Sequence, residues 1–356
     1  MNALVTQWVD LYGTQPVLVM GGLLLGLLFG FAAQQSKFCA RASIIDVHEH
    51  RLSDRSAVWL IAFAVAVLCV QSAAYTGWLQ TGKSRFIDQP GSLSGALIGG
   101  VLFGVGMILT RGCAGRLIVL TGSGNLRAAI SGLVFAVTVQ ASIGGWLAPL
   151  RIGVADLWRV DAGSSRDLLA ITGVGPAGGF LAAVLLMGAA IWLAFDKLKN
   201  QPWAAIMAVC VGLSVGGGWC WTQLVASNSF DQVTLQSLTF ASPSADWLMR
   251  ILSKSGVSDV SFEAALLPAT FLGATLSALV RREFKFESFK SENKMGHYML
   301  GAVLMGMGAV LAGGCTVGAA MSGGSTFALT AWLTLLSIVS GSLIALKLQN
   351  RFKWLA

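Results

Sequence analysis

Three of the six cysteines stand at the end of the same glycine frame. Gly26 and Gly30 lead to Cys39, Gly100 and Gly104 to Cys113, and Ala302 and Gly306 to Cys315. In each copy a small residue, three others, a glycine and eight more precede the thiol; a fourth copy, Gly212 and Gly216, leads to Val225 instead. A thiol is polarisable, a weak donor and a weak acceptor, so repeated thiols suit a soft solute better than a hard one. The frames end in Ser36-Lys37-Phe38-Cys39-Ala40-Arg41, Arg111-Gly112-Cys113-Ala114-Gly115-Arg116 and Gly313-Gly314-Cys315-Thr316-Val317-Gly318. Glycine lets a backbone turn where a side chain would forbid it. The residues after each cysteine can open a short helix whose first amides face the thiol, an arrangement that binds anions. Arg111 and Arg116 flank the middle cysteine, and a cation at membrane depth is a functional candidate, with an interfacial, topology-fixing arginine as the alternative. The candidate pathway residues are Cys39, Cys113, Cys315, Gly112, Gly314, Thr316, Arg111 and Arg116.

The remaining chemistry-bearing residues read differently. No Cys-x-x-Cys spacing occurs, so a disulfide framework is not expected. Cys69 and Cys210 fall in mid-span and read as small core hydrophobes; Cys220, after Gly216-Gly217-Gly218-Trp219, is out of frame but close to an expected helix break. His48-Glu49-His50 puts its imidazoles on different helix faces and reads as a solvated loop. No metal site, cofactor motif or catalytic constellation is expected.

What must position the thiols follows from composition. The chain has 356 residues, 55% hydrophobic and only 11% charged, with a mean hydropathy of +0.72. Such a composition belongs to an integral membrane protein. Nine apolar stretches are long enough to cross a hydrocarbon core of about 30 Å, at 16–34, 56–77, 92–110, 126–150, 175–195, 202–220, 262–281, 294–312 and 326–348. The expected fold is all-α, a single membrane domain over 1–356 in two halves, 16–150 and 202–348, joined by a connecting helix at 175–195. Five spans, an odd number, run from the first to the fifth, so the sixth runs opposite to the first and the halves are expected to be inverted, the arrangement in which broken or re-entrant helices place a site near the midplane. The Cys39 and Cys113 turns then enter from one side and the Cys315 turn from the other. The segment 221–261 is expected to form short interfacial or re-entrant helices, with 151–173 as its counterpart.

Of the 24 Lys and Arg, alternating loops place 17 on one side and 7 on the other. The positive-inside rule puts the N-terminus outside and the C-terminus in the cytoplasm. The net charge of +8 is accounted for by topogenic loops over anionic lipid. No basic aromatic stripe suggests a nucleic acid partner.

At the three cysteine turns the chain resembles the YeeE/YedE family of bacterial inner-membrane proteins, best known as thiosulfate permeases. Ser36 to Cys39 is similar to the family's first cysteine turn, Gly112 to Gly115 to its second and Gly313 to Gly318 to its third. The likeness covers nearly the whole chain. It implies a transporter rather than an enzyme, in which Cys39, Cys113 and Cys315 line a central constriction and relay the anion by thiol hydrogen bonds to its sulfur. It also implies a cytoplasmic partner of the small TusA-like sulfurtransferase type. Two other readings stay open: a membrane thiol oxidoreductase or sulfurtransferase using the same cysteines covalently, and a permease for another sulfur or selenium species.

Overall fold

The computed structural model describes residues 2–253, 260–287 and 295–352. Helices α1 (Asn2–Tyr12), α2 (Thr14–Gln35), α3 (Ala40–His48), α4 (Asp54–Tyr75), α5 (Arg85–Asp88), α6 (Leu93–Leu109), α7 (Ala114–Gly122) and α8 (Leu126–Gly144) form the first part. Then come α9 (Ala148–Asp156), α10 (Leu168–Thr172), α11 (Gly175–Leu198), α12 (Pro202–Ser227), α13 (Ala241–Ser253), α14 (Phe262–Val280) and α15 (Met295–Leu311), a π-helix (Thr316–Gly323) and α16 (Leu329–Phe352). Among the described residues the extended structure is a two-residue antiparallel pair, Gly91–Ser92 with Arg159–Val160, so the fold is all-α. Among the described residues nine helical segments are long and apolar enough to span a membrane, three of them compound: α2 with α3, α6 with α7, and α15 with the π-helix.

Local chemistry sets several boundaries. The side chains of Ser92, Asn125 and Ser261 accept from Gly95, Ala128 and Ala264 amides and so start α6, α8 and α14. The fourth span was expected to run to residue 150. It ends instead at Gly144, because Gly145 is extended and Pro149 opens the separate helix α9.

The glycine frames are packing surfaces. A Cβ on Gly26 would lie 2.8 Å from the Leu266 carbonyl, and one on Gly30 would strike that of Thr270, so α2 lies backbone to backbone on α14. Gly212 and Gly216 do the same against Ala62, Val65 and Cys69 of α4. Gly100 and Gly104 meet Thr334, Ser337 and Ile338 of α16, and Gly306 meets Phe135 and Thr138 of α8. Small residues four apart permit this approach.

Each framed helix thus packs on a helix of the other half. α2 pairs with α14 as α12 does with α4; α6 pairs with α16 as α15 does with α8. Likewise α7 touches α8 and α14 while the π-helix touches α16 and α4, and α3 touches α4 and α16 while α13 touches α14 and α8. The neighbours are unchanged when the halves are exchanged. This pattern makes α13 the equivalent of α3, so the counterpart of 221–261 is the segment after α2 rather than 151–173. α11 packs on α4 at the periphery, with only 22% of its apolar window buried.

Alternate loops gather at opposite faces. At one face Gln201 bonds Asp54 (2.6 Å), Trp203 bonds Gln35 (3.1 Å) and Asn125 bonds Glu287 (2.6 Å). At the other, Ser84 bridges Leu235 and Asp167 bridges Ala328. We call these the α3 face and the α9 face.

Candidate functional site

The three cysteine turns share one geometry. Each spanning helix ends four residues before its cysteine, at Gln35, Leu109 and Leu311. The residue two before the cysteine is left-handed in every case: Lys37 at φ 54°, Arg111 at φ 58° and Gly313 at φ 77°. Only glycine does this freely; Lys37 and Arg111 each store about 1–2 kcal/mol there, strain of the kind that marks functional turns. The cysteine itself is extended and caps the next helix: Cys39 for α3, Cys113 for α7 and Cys315 for the π-helix. At Cys315 the sulfur accepts from the Gly318 amide at 3.4 Å. Gly314 cannot carry a side chain without closing to 2.8 Å on the Ala319 amide. Gly112 is held by the Thr110 hydroxyl, which donates to its carbonyl at 2.8 Å.

Cys113 is the hub. Its thiol lies beside the Thr316 hydroxyl and the Arg116 amide, within electrostatic reach of both Cys39 and Cys315. Cys113 and Cys315 are buried, and Cys39 is partly exposed. Buried polar atoms are normally satisfied, yet Thr239 Oγ1, Arg116 Nη1 and Arg41 Nε have no hydrogen-bond partner. Thr239 belongs to the chain between α12 and α13, which re-enters the core: Ser322 of the π-helix donates to the Leu238 carbonyl at 2.7 Å, and Ser237 donates to Val215 in mid-α12 at 2.5 Å. Next to Thr239, Phe240 is fully buried, 5.2 Å from the Phe29 ring, which lies 6.2 Å from Phe38. The thiols therefore sit among unpartnered donors and an aromatic wall.

The two expected arginines have separate places. Arg116 lies within electrostatic reach of Cys39 and Cys113. Arg111 is exposed and stacks with Arg127 over the Tyr298 ring, at 5.8 and 4.8 Å. Arg41, expected only as a topogenic charge, is in reach of Cys39, Arg55, Arg111 and Arg127. These cations line the α3 side of the thiols.

On the α9 side a cavity of about 440 Å³ is lined by Arg85, Arg151, Arg159 and Arg166, with Ala312 and Gly313 of the Cys315 turn also in its wall. Glu263 neutralises Arg85 at 2.7 Å, and Asp156 pairs with Arg159. Arg151 and Arg166 form no ion pair among the described residues; Arg151 donates to the Ser142 carbonyl (2.8 Å) and Arg166 to Thr330 (2.8 Å) and Gln89. Arg166 is buried with its Nε unpartnered, and that burial pulls its pKa down from the usual arginine range. Sequence analysis counted these arginines only as topogenic charge. Thr239 and Phe240 carried no signal either, because their arrival at the thiols is a tertiary event. Val225, the fourth marked position, lies inside α12 and makes no turn.

The fold and the site together define a polytopic all-α membrane protein in which broken helices present three thiols, with an arginine-lined cavity on the α9 side. Residues 35–344, which include all three cysteine turns, match the sulphur-transport family, and the chain belongs to it. The family is one of transporters rather than enzymes. The chain is similar to the thiosulfate transporter TsuA of Spirochaeta thermophila, 26% identical over 341 residues, covering 91% of this chain and 97% of that protein. It is also similar to the thiosulfate transporter TsuA of Escherichia coli strain K12, 23% identical over 349 residues, covering 91% and 92%.

Proposed function

We propose that this protein takes up thiosulfate across the bacterial inner membrane along a path from the α9-face vestibule past Cys315, Cys113 and Cys39 to the α3 face. The observation that carries the reading is the convergence of three identically built thiol turns on Cys113, amid buried donors that lack acceptors. A dianion loses its hydration on entering such a site and needs replacement donors. Arg151 and Arg166 attract it, the Thr316 and Thr239 hydroxyls and helix N-terminal amides take up its oxygens, and the thiols donate weakly to its terminal sulfur. Sulfate has only hard oxygens and gains nothing from the thiols.

The exchange-symmetric packing supports two inverted halves, 16–150 and 202–348, around the connecting helix at 175–195. The 17 to 7 division of basic residues supports a cytoplasmic α3 face and C-terminus. A TusA-like sulfurtransferase on that face would receive the anion; the resemblance and the basic residues Arg41, Arg111 and Arg127 on the α3 side support it.

The test is uptake of labelled thiosulfate into proteoliposomes, with sulfate as competitor. Thiosulfate should accumulate, excess sulfate should leave its rate nearly unchanged, and Cys113→Ala should lower it about a hundredfold. Equal transport of both anions, or unaltered uptake by Cys113→Ala, would overturn the reading.

A further inference from the structure

Cys69 and Cys220 lie outside the three thiol turns, and the structure revises both expectations for them. Cys220 sits well inside the unbroken helix α12, and Cys69 is no isolated core residue. Their side chains lie within hydrogen-bonding reach of each other across the α4–α12 interface.

The backbone geometry brings them there independently. The two helices start level, tied by Gln201 to Asp54 at 2.6 Å, and run in the same direction toward the α9 face. Cys69 and Cys220 stand about 15 and 18 residues along them, roughly 22 and 27 Å at about 1.5 Å per residue. The offset is less than one helical turn. Gly216 closes the gap between the backbones: a Cβ there would lie 2.5 Å from Cys69 Sγ and 2.7 Å from its Cβ. Cys220 is four residues beyond Gly216 and so on the same face of α12. Both cysteines are partly exposed. Two thiols within one helical turn of each other on closely packed backbones are placed where an inter-helix disulfide can form.

We propose that Cys69 and Cys220 form a redox-active dithiol, a modification site separate from the transport thiols, which closes to a disulfide when a small disulfide-class oxidant reaches it. One cysteine, as thiolate, attacks the reagent's sulfur–sulfur bond, forms a mixed disulfide and releases one reagent thiol. The other thiolate then attacks the cysteine sulfur of that mixed disulfide, forms the Cys69–Cys220 bond and expels the second reagent thiol. The cysteines lose two electrons, the reagent gains them, and the two cysteine protons end on the released thiols or in water. The bond staples α4 to α12 beside Trp219, whose indole donates to the Ser322 carbonyl of the π-helix at 3.2 Å.

The test uses dipyridyl disulfide, which is neutral and releases a coloured thione. A full-length variant carrying Cys39→Ala, Cys113→Ala, Cys210→Ala and Cys315→Ala should release two thiones per chain. Non-reducing digestion and mass spectrometry should then find the peptides of Cys69 and Cys220 joined. With Cys69→Ser added, one thione should be released and Cys220 should keep a pyridyl adduct. The same joined peptides should appear from the unaltered chain, which guards against a misfolded variant. Separate pyridyl adducts on both residues, or release of thione only after denaturation, would overturn the proposal.

Discussion

The Cys113 turn and the end of α12 begin from the same glycine frame and finish differently. After Gly100 and Gly104 the helix stops at Leu109, Arg111 turns left-handed and Cys113 opens a new helix. After Gly212 and Gly216 the helix continues to Ser227, and the chain returns to the core over Ser237 to Phe240, just ahead of α13. In both cases the two glycines lie against another helix, α16 for Gly100 and Gly104 and α4 for Gly212 and Gly216, so the frame encodes close helix packing and nothing more. The break is encoded separately, by the left-handed residue two before the thiol. Three arms of the site therefore present sulfur, and the fourth presents an aromatic ring.

Five outcomes test that contrast, beginning with the largest effect. Phe240→Ala removes the wall residue of the fourth arm and should cost about 3–5 kcal/mol, as for other buried aromatic truncations; thermal unfolding in detergent measures it, and a shift no larger than for an exposed residue would deny the ring its role. Cys113→Ala should lower thiosulfate uptake about a hundredfold at normal expression, roughly 2.7 kcal/mol of lost stabilisation. Cys210→Ala, a thiol outside the turns, should leave uptake unchanged; equal losses would erase the distinction between the two classes of cysteine.

Arg151→Gln and Arg166→Gln should each raise KM about tenfold at low ionic strength with kcat preserved, and the difference should shrink in salt as the field is screened. An effect on kcat alone would place these residues elsewhere in the cycle. Arg111→Gly should relieve the left-handed strain and stabilise the protein by about 1 kcal/mol, with uptake kept within about twofold. Loss of uptake in that variant would show that the Arg111 side chain, and not merely its turn, serves the solute.

The nine spans and the thiol turns were legible because apolar length and small-residue spacing are local properties of the sequence. The repeated frame was legible too, as small residues four apart; the packing of α13 was not, because its contacts with α14 and α8 join segments distant in sequence. Phe240 and Thr239 were not, since only the return of the chain against the π-helix brings them to the thiols. Arg166 looked like any loop arginine; its value comes from burial beside Gly91 and Thr330. The Cys69–Cys220 pair was hidden for the same reason, its members belonging to helices that meet only through Gly216. Glycine at 144 and 145, followed by Pro149, could have shown that the fourth span stops early.

The crossed packing of the halves also sets an order of assembly. The groove of Gly22, Gly26 and Gly30 on α2 is filled by α14, which emerges from the ribosome about 230 residues after Gln35. At about 5–20 residues per second, that is a wait of roughly 10–50 s. During it the first helices are inserted but lack their partners, with an open glycine groove facing lipid. A ribosome stalled after α11 would leave a chain with four of its spanning helices unmatched, the form most exposed to membrane proteases.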